Sequence, residues 1–305
     1  MNMVTILDGG MGRELERRGA PFKQPEWSAL AMMDAPDIVK EAHKAFIDAG
    51  SKVIITNSYA LVPFHIGDDR FKAQASTLAE QSAIVAQQAV SESGQSDVLV
   101  AGSLPPLFGS YRADLYQPEQ AESIALPLIQ AMNPHVDLWL SETQSLIEEA
   151  LCVKALVDRI DSAHKPYWVS FTLEDAEVTE QPLLRSGETV VAAVEAMVEA
   201  GVDAILFNCS QPEIITDAIK LTKETLANTP SAQARAIKVG AYANAFPPQT
   251  KDATANDGLD ELRDDLTPSN YLQWAQQWHA LGAELIGGCC GIGPEHIEVL
   301  SKNLN

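Results

Sequence analysis

The chain has 305 residues, 46% of them hydrophobic, the ordinary content of a folded globular protein. Its 42 acidic residues outweigh 21 Lys and Arg to give a net charge of −21, which excludes nonspecific binding to nucleic acid or anionic membranes by like-charge repulsion. No apolar run reaches the roughly 18 residues of a membrane helix, the first residues lack the basic segment of a secretory signal, and four cysteines do not make a disulfide scaffold in a chain this long; a cytoplasmic setting is expected.

In chain order, short apolar or β-branched runs alternate with longer stretches of helical period. Strands are expected at residues 5–7, 52–56, 98–101, 137–141, 167–172, 204–208, 238–242 and 284–287. Each is a continuous apolar run, the pattern of a strand covered on both faces. Helices are expected between them. Residues 37–49 place Ile38, Ala42, Ala45, Phe46 and Ala49 on one face, and residues 190–200 place Val190, Val194, Met197 and Val198 inward with Glu195 and Glu199 outward. Gly50, Gly201 and Gly282 fall where helices should end before the next strand. About eight such units predict a (β/α)8 barrel over residues 1–305 as one domain, since no Gly/Ser-rich or Pro-rich linker divides the chain. The rival, a doubly wound open sheet, requires a G-x-G-x-x-G turn after the first strand, and Asp8-Gly9-Gly10-Met11-Gly12 lacks that spacing.

Four strand-to-helix connections are long: 18–35, 60–71, 104–117 and 245–267. The last carries Phe246-Pro247-Pro248 and the acidic residues Asp257, Asp260, Glu261, Asp264 and Asp265. It is either a solvated surface loop or a wall over the face where barrel enzymes work.

The cysteines are more telling by placement than by number. Cys209 follows the sixth strand, and Cys289-Cys290 follow the eighth. In a parallel barrel all strand C-termini meet at one rim, so these three converge despite their separation in sequence. Adjacent residues of a regular strand point apart, so Cys289 and Cys290 share one ion only if the chain turns, which Gly287, Gly288 and Gly291 permit. Three thiolates and an exchangeable position describe a catalytic zinc arrangement; buried free thiols are the alternative. Cys152, within the helical stretch 148–156, reads as a core residue.

Other strand ends bring polar groups to the same rim: Asp8 from the first, Thr56 and Asn57 from the second, and Ser141, Glu142 and Thr143 from the fourth. The fifth adds Ser170 and Thr172, and the seventh Tyr242 and Asn244. Two carboxylates beside a thiolate-metal centre suit a ligand with an ammonium group, although Asp8 could equally cap a helix over residues 11–18. No histidine has metal spacing to another, and His65 alone is placed near the mouth.

The set Asp8-Gly9-Gly10, Glu142-Thr143, Asn208-Cys209 and Gly287-Gly288-Cys289-Cys290-Gly291, each after a strand and in this order, resembles the zinc-dependent homocysteine S-methyltransferase family. The likeness runs from Asp8 to Pro294-Glu295-His296-Ile297. It implies a (β/α)8 barrel holding Zn²⁺ through Cys209, Cys289 and Cys290, with Asp8 and Glu142 on the homocysteine amino group and amides near Gly9 and Gly10 close to its carboxylate. Asn57 and Asn208 complete the expected substrate site. The implied reaction moves a methyl group to the homocysteine thiolate and yields methionine, with small molecules as the only expected partners.

Cobalamin-dependent relatives need further domains, and betaine-using relatives usually carry a C-terminal extension, so the length shifts the expected donor toward S-methylmethionine, with S-adenosylmethionine second. Trp27, Tyr59, Phe64, Phe108 and Tyr111 on the inserted loops are candidate faces for an onium group. The long acidic stretch 245–267 departs from the family pattern. A betaine-using enzyme and a non-catalytic zinc or thiol-amino-acid binding protein stay open as alternatives.

Overall fold

Eight parallel strands alternate with helices in the computed structural model, which describes residues 3–177, 179–250 and 261–304. The strands are β1 Thr5–Ile6, β2 Val53–Ile55, β3 Leu99–Leu104, β4 Leu138–Gln144, β5 Tyr167–Phe171, β6 Ala204–Asn208, β7 Lys238–Tyr242 and β8 Leu285–Ile286. Their order around the sheet is sequential, β1-β8-β7-β6-β5-β4-β3-β2. A bridge from Leu7 to Val53, with the Lys52 amide donating to Ile6 O at 2.7 Å, joins β1 to β2 and completes the (β/α)8 barrel.

The continuous apolar runs now have a reason, because each strand faces two cores. Leu138 and Leu140 of β4, Ala204 and Leu206 of β6, Tyr242 of β7 and Leu285 of β8 point into the barrel. Trp139, Val169, Ile205, Phe207 and Val239 point outward under the helices. Each fully buried aliphatic side chain contributes roughly 1.5–3 kcal/mol. The inward set continues to the rim by the two-residue period and turns polar there, as Ser103, Glu142, Ser170 and Asn208 succeed the apolar layers.

The helices that seal the outer core are α1 Met11–Arg17, α2 Ser28–Asp34, α3 Pro36–Asp48, α4 Pro63–Ile66, α5 Asp68–Ser93, α6 Pro118–Met132, α7 Ile147–Ile160, α8 Val190–Ala200, α9 Pro212–Asn228, α10 Ala232–Ala236, α11 Pro268–Ala280 and α12 Pro294–Leu304. In α8 the buried face is Val190, Ala193, Val194 and Met197, close to expectation, and Gly201 ends it at φ 73°. In α3 it is Val39, Ala42, His43, Phe46 and Ile47, rotated slightly from the expected stripe. Burial holds His43 neutral, with its pKa lowered to about 4. Cys152 lies half-buried on α7, packed against the core.

Three of the expected insertions carry short elements: α2 in 18–35, α4 in 60–71 and a 3₁₀ turn, Ala113–Leu115, in 104–117. Of the fourth, residues 251–260, including Asp257 and Asp260, lie outside the described residues. Its described ends fold onto the rim, where the Ala245 amide donates to Cys290 O at 2.8 Å. A fifth long connection, between β5 and α8, was not anticipated. It folds back on itself through the Leu173–Leu184 bridge. The polar run Glu174-Asp175-Ala176-Glu177, Pro182 and Ser186-Gly187 were its local signals.

Candidate metal centre and active site

At the rim, the sulfurs of Cys209, Cys289 and Cys290 lie within 4.8 Å of one another. Two devices bring them together. Cys209, one residue past β6, takes a left-handed conformation at φ 49°, which swings its thiol toward the barrel axis. After β8, the turn predicted around the vicinal pair is formed: the Ile292 amide donates to Cys289 O at 3.0 Å, and Gly291 sits at φ 83°.

The Asp8-Gly9-Gly10 segment packs directly on that turn. A Cβ on Gly9 would lie 2.3 Å from Ile292 O, and one on Gly10 would lie 2.5 Å from Cys289 O, so only glycine fits. The Gly10 amide is consumed by Ile292 O at 2.9 Å. It is therefore not available to a substrate carboxylate, which corrects half of the role expected for this pair.

Both rim carboxylates are buried, and neither meets a cation among the described residues. Asp8 Oδ2 accepts the Ile55 amide at 2.8 Å, while Oδ1 has no partner. Burial, together with the nearby Glu142 carboxylate, pushes the Asp8 carboxyl well above the usual range. Glu142 accepts from the Ser103 hydroxyl through Oε1 and from the Tyr242 hydroxyl at 3.4 Å through Oε2. Burial raises its pKa to about 7, with a further push from Cys209. Glu142 reaches inward because it follows Leu138 and Leu140 on the same face, next to a register shift between Ser141 and Gln144.

A cavity of about 120 Å³ lies over these groups. Asp8, Gly9, Gly10, Glu142, Cys209, Cys289 and Cys290 all line it, so seven of the expected site residues converge. The two asparagines do not. Asn57 Nδ2 donates to Ser28 O at 3.0 Å and anchors α2. Asn208 accepts the Thr143 amide at 3.0 Å and the Ser170 hydroxyl at 2.7 Å, and donates to Thr143 Oγ1 at 2.8 Å. This bracket holds Thr143 at φ 58°, a conformation that a β-branched residue adopts only under constraint. In this structure both side chains are engaged in holding neighbouring chain, Asn57 on α2 and Asn208 on Thr143 and Ser170.

Of the candidate aromatics, Trp27, Tyr59 and Tyr111 line the cavity, and Phe64 and Phe108 do not. His65 lies behind the wall, its ring stacked 6.0 Å from Trp27. Tyr242, expected at the rim, also lines the cavity, and so do Arg13, Phe22 and Phe246, to which the sequence assigned no role. Arg13 was hidden because a charged residue in the first turns of a helix reads as surface.

The cluster fits a metal ion. Zinc–sulfur bonds of about 2.3 Å place tetrahedral sulfurs about 3.8 Å apart, within the observed spread of 4.8 Å. The thiols resist losing all three protons unaided. Hydrogen bonds from Cys289 and Cys290 hold Cys209 well below its usual pKa, and the same interactions push the other two well up. A bound cation removes that conflict.

The all-parallel barrel carries at its C-terminal rim a cysteine cluster that could hold a metal ion, two buried carboxylates and aromatic walls. Sequence comparison goes further. The family model described as homocysteine S-methyltransferase matches residues 5–304. Homocysteine S-methyltransferase 1 of Arabidopsis thaliana is 27% identical over 98% of this chain and 93% of its own length. The homocysteine S-methyltransferase of Escherichia coli K12 is 28% identical over 97% and 94%. Among solved structures, the homocysteine methyltransferase MmuM from Escherichia coli, in its metallated form, superposes with a TM-score of 0.76 at 28% identity, covering 98% of this chain and 96% of that one. The chain belongs to the homocysteine S-methyltransferase family and is a methyltransferase. Neither a betaine-using enzyme nor a non-catalytic thiol-binding barrel is favoured by these matches.

Proposed function

We propose that this enzyme moves a methyl group from a sulfonium donor to the thiolate of L-homocysteine, giving L-methionine, with Zn²⁺ held by Cys209, Cys289 and Cys290. S-methylmethionine is the first candidate donor and S-adenosylmethionine the second. The observation that carries this reading is the unpartnered Asp8 Oδ1, buried beside Glu142 and within the same cavity as three thiols. A ligand bearing both an ammonium group and a thiol answers both features, and homocysteine bears both.

Asp8 and Glu142 would grip the substrate ammonium and so aim the sulfur at the cysteines. The acceptor carboxylate would fall to the Gly9 amide. Zinc, when bound, supplies the positive charge that keeps a substrate thiol ionised at neutral pH, where a free thiol of pKa about 8.5 is mostly protonated. The sulfur lone pair forms a bond to the methyl carbon as the donor C–S bond breaks, and that electron pair stays on the donor sulfur. With S-methylmethionine both products are methionine, which supports a place in methionine biosynthesis. Attack of a thiolate on a sulfonium annihilates charge, so the walls of Trp27, Tyr59 and Tyr111 favour it by keeping water out and by offering ring faces to the cation. Free thiols at the centre suit a reducing compartment, in keeping with the cytoplasm. Among the described residues no helix is long and apolar enough to cross a membrane.

The test is a donor panel on zinc-loaded enzyme with homocysteine. Methionine should form with S-methylmethionine, more slowly with S-adenosylmethionine, and at background with betaine. Turnover with betaine alone would overturn the donor assignment.

Glu142 makes the reaction pH-dependent in a defined direction. Its carboxyl titrates at about 7 and binds an ammonium only when ionised, so kcat/KM for homocysteine should climb as pH rises through that value. Glu142→Gln should lower kcat/KM about tenfold or more and abolish this limb of the profile; an unchanged limb would assign it to another group.

A further inference from the structure

Thr143 lines the cavity beside Glu142, with no part in the reaction described above. Its backbone stands at φ 58°, and strain of this kind in a β-branched residue persists only where the surroundings enforce it. The enforcing group is Asn208, the last residue of β6. Its carboxamide can face Thr143 in one sense only. The Thr143 amide N–H is a donor and must meet Oδ1, which it does at 3.0 Å. Nδ2 therefore faces the hydroxyl and donates to Thr143 Oγ1 at 2.8 Å. The Ser170 hydroxyl, donating to Oδ1 at 2.7 Å, supports the same orientation. With Oγ1 accepting from Asn208, its own proton must point elsewhere, and it donates to Cys209 Sγ at 3.9 Å. The Tyr59 hydroxyl, in the same wall, is engaged with Ser110 Oγ at 2.5 Å. Cys209 is held at its backbone as well, where the Thr172 hydroxyl donates to its carbonyl oxygen at 3.2 Å.

A hydrogen bond to a thiolate draws electron density from the sulfur, which becomes a weaker base and a weaker nucleophile. That matters at this centre. With a metal bound, the protein presents three thiolates of its own beside the one to be methylated, and each can attack an activated methyl group. We propose that Thr143, oriented by Asn208, is a positioning residue that fixes the Cys209 sulfur through its hydroxyl and lowers the reactivity of that sulfur toward the methyl source. The assignment rests on the metal and methyl-transfer reading given above, and it adds a device that protects the ligand set from the chemistry performed beside it. In the side reaction a lone pair of Cys209 Sγ bonds to the methyl carbon while the bond to the leaving group breaks, and that electron pair departs with the leaving group. The resulting thioether no longer carries the charge with which a thiolate holds zinc.

The experiment uses Thr143→Val, which keeps the shape of the side chain and removes the hydroxyl, and Thr143→Ser, which restores it. The proteins are first loaded with cobalt(II) and compared by absorption. The thiolate-to-metal charge-transfer band should move to longer wavelength in Thr143→Val and return to the wild-type position in Thr143→Ser. The zinc-loaded proteins are then treated with iodomethane, a methyl source that needs no donor site, and methylation of each cysteine is followed by peptide mass spectrometry. Thr143→Val should raise the Cys209 rate about tenfold, the worth of one hydrogen bond to a charged group, and leave Cys289 and Cys290 within about twofold. Thr143→Ala, with no branch at the strained backbone, gives the same comparison should the valine variant not fold. An unmoved band, or unchanged methylation of Cys209, would overturn the assignment. So would equal gains at all three cysteines, which mark a loosened site. The same changes in Tyr111→Phe but not in Thr143→Val would give the role to another hydroxyl of the wall and overturn it too. A wild type that takes up neither cobalt nor zinc would bring down the metal reading, and the assignment with it.

Discussion

Cys209→Ala is expected to lose metal and activity together while keeping the fold. Zinc content of the purified protein should drop from near one per chain to near zero, and methionine formation should fall by about a thousandfold or more, because two thiols do not close a three-ligand site. The side chain is small and sits at the rim, 6% exposed, so removing its sulfur costs the barrel only about 1 kcal/mol. Metal analysis, turnover and circular dichroism on the same preparation separate these effects. A variant that keeps both stoichiometric zinc and activity would refute the ligand assignment. The same experiment on Cys152, half-buried on α7 away from the cluster, should leave metal content and rate at wild-type levels.

Arg185→Met should be the most destabilising single change outside the outer core. Arg185 and Asp175, both on the β5–α8 connection, form an ion pair at 2.8 Å with each side chain only 1% exposed. The pair ties several loops together. Arg185 Nη1 donates to Gln249 O at 2.8 Å, and its guanidinium carbon stacks 4.7 Å over the Tyr111 ring. Asp175 accepts the amides of Gln249 at 3.1 Å and Gln211 at 3.2 Å. Burial pushes the Asp175 carboxyl up even with the guanidinium opposing it. Removing Arg185 strands a buried carboxylate, at a cost of about 3–5 kcal/mol, or a fall in Tm of roughly 5–8 °C for a chain of this size. It also releases Tyr111, which stands at φ 69° in the cavity wall, so activity should fall alongside stability. Asp175→Asn in the same chain should recover part of the lost Tm, since the stranded charge is gone. A shift below about 2 °C in the single variant would show that the pair is not holding these loops.

Much of the architecture was legible because it rests on local rules. Strands buried on both faces write themselves as apolar runs, and β6 and β7 fall at the expected residues, Ala204–Asn208 and Lys238–Tyr242. Helices ended by glycine are equally plain, as at Gly201. The three cysteines were legible for a topological reason: in a parallel barrel any residue just past a strand reaches the same rim. The two asparagines, which do not line the described cavity, were less legible by the same logic. A residue at a strand end can turn inward to the cavity or sideways to a neighbouring strand, and Asn208 turns sideways to hold Thr143 and Ser170. Arg13 and Arg185 went unassigned because their surroundings come from chain segments far away in sequence, Phe246 for one and Tyr111 with Gln249 for the other.

Periodicity, turn residues and the order of the cysteine motifs therefore carry the fold class and the place of the cysteine cluster, since those depend on near neighbours along the chain and on how strands repeat. The residues that wall the cavity are another matter. The Arg185–Asp175 clamp, the Asn208 bracket on Thr143 and the facing of Asp8 toward Glu142 arise only when separate βα connections close over one rim. Burial then raises the two carboxyls and leaves Asp8 Oδ1 without a partner, because water is excluded only after those loops have met.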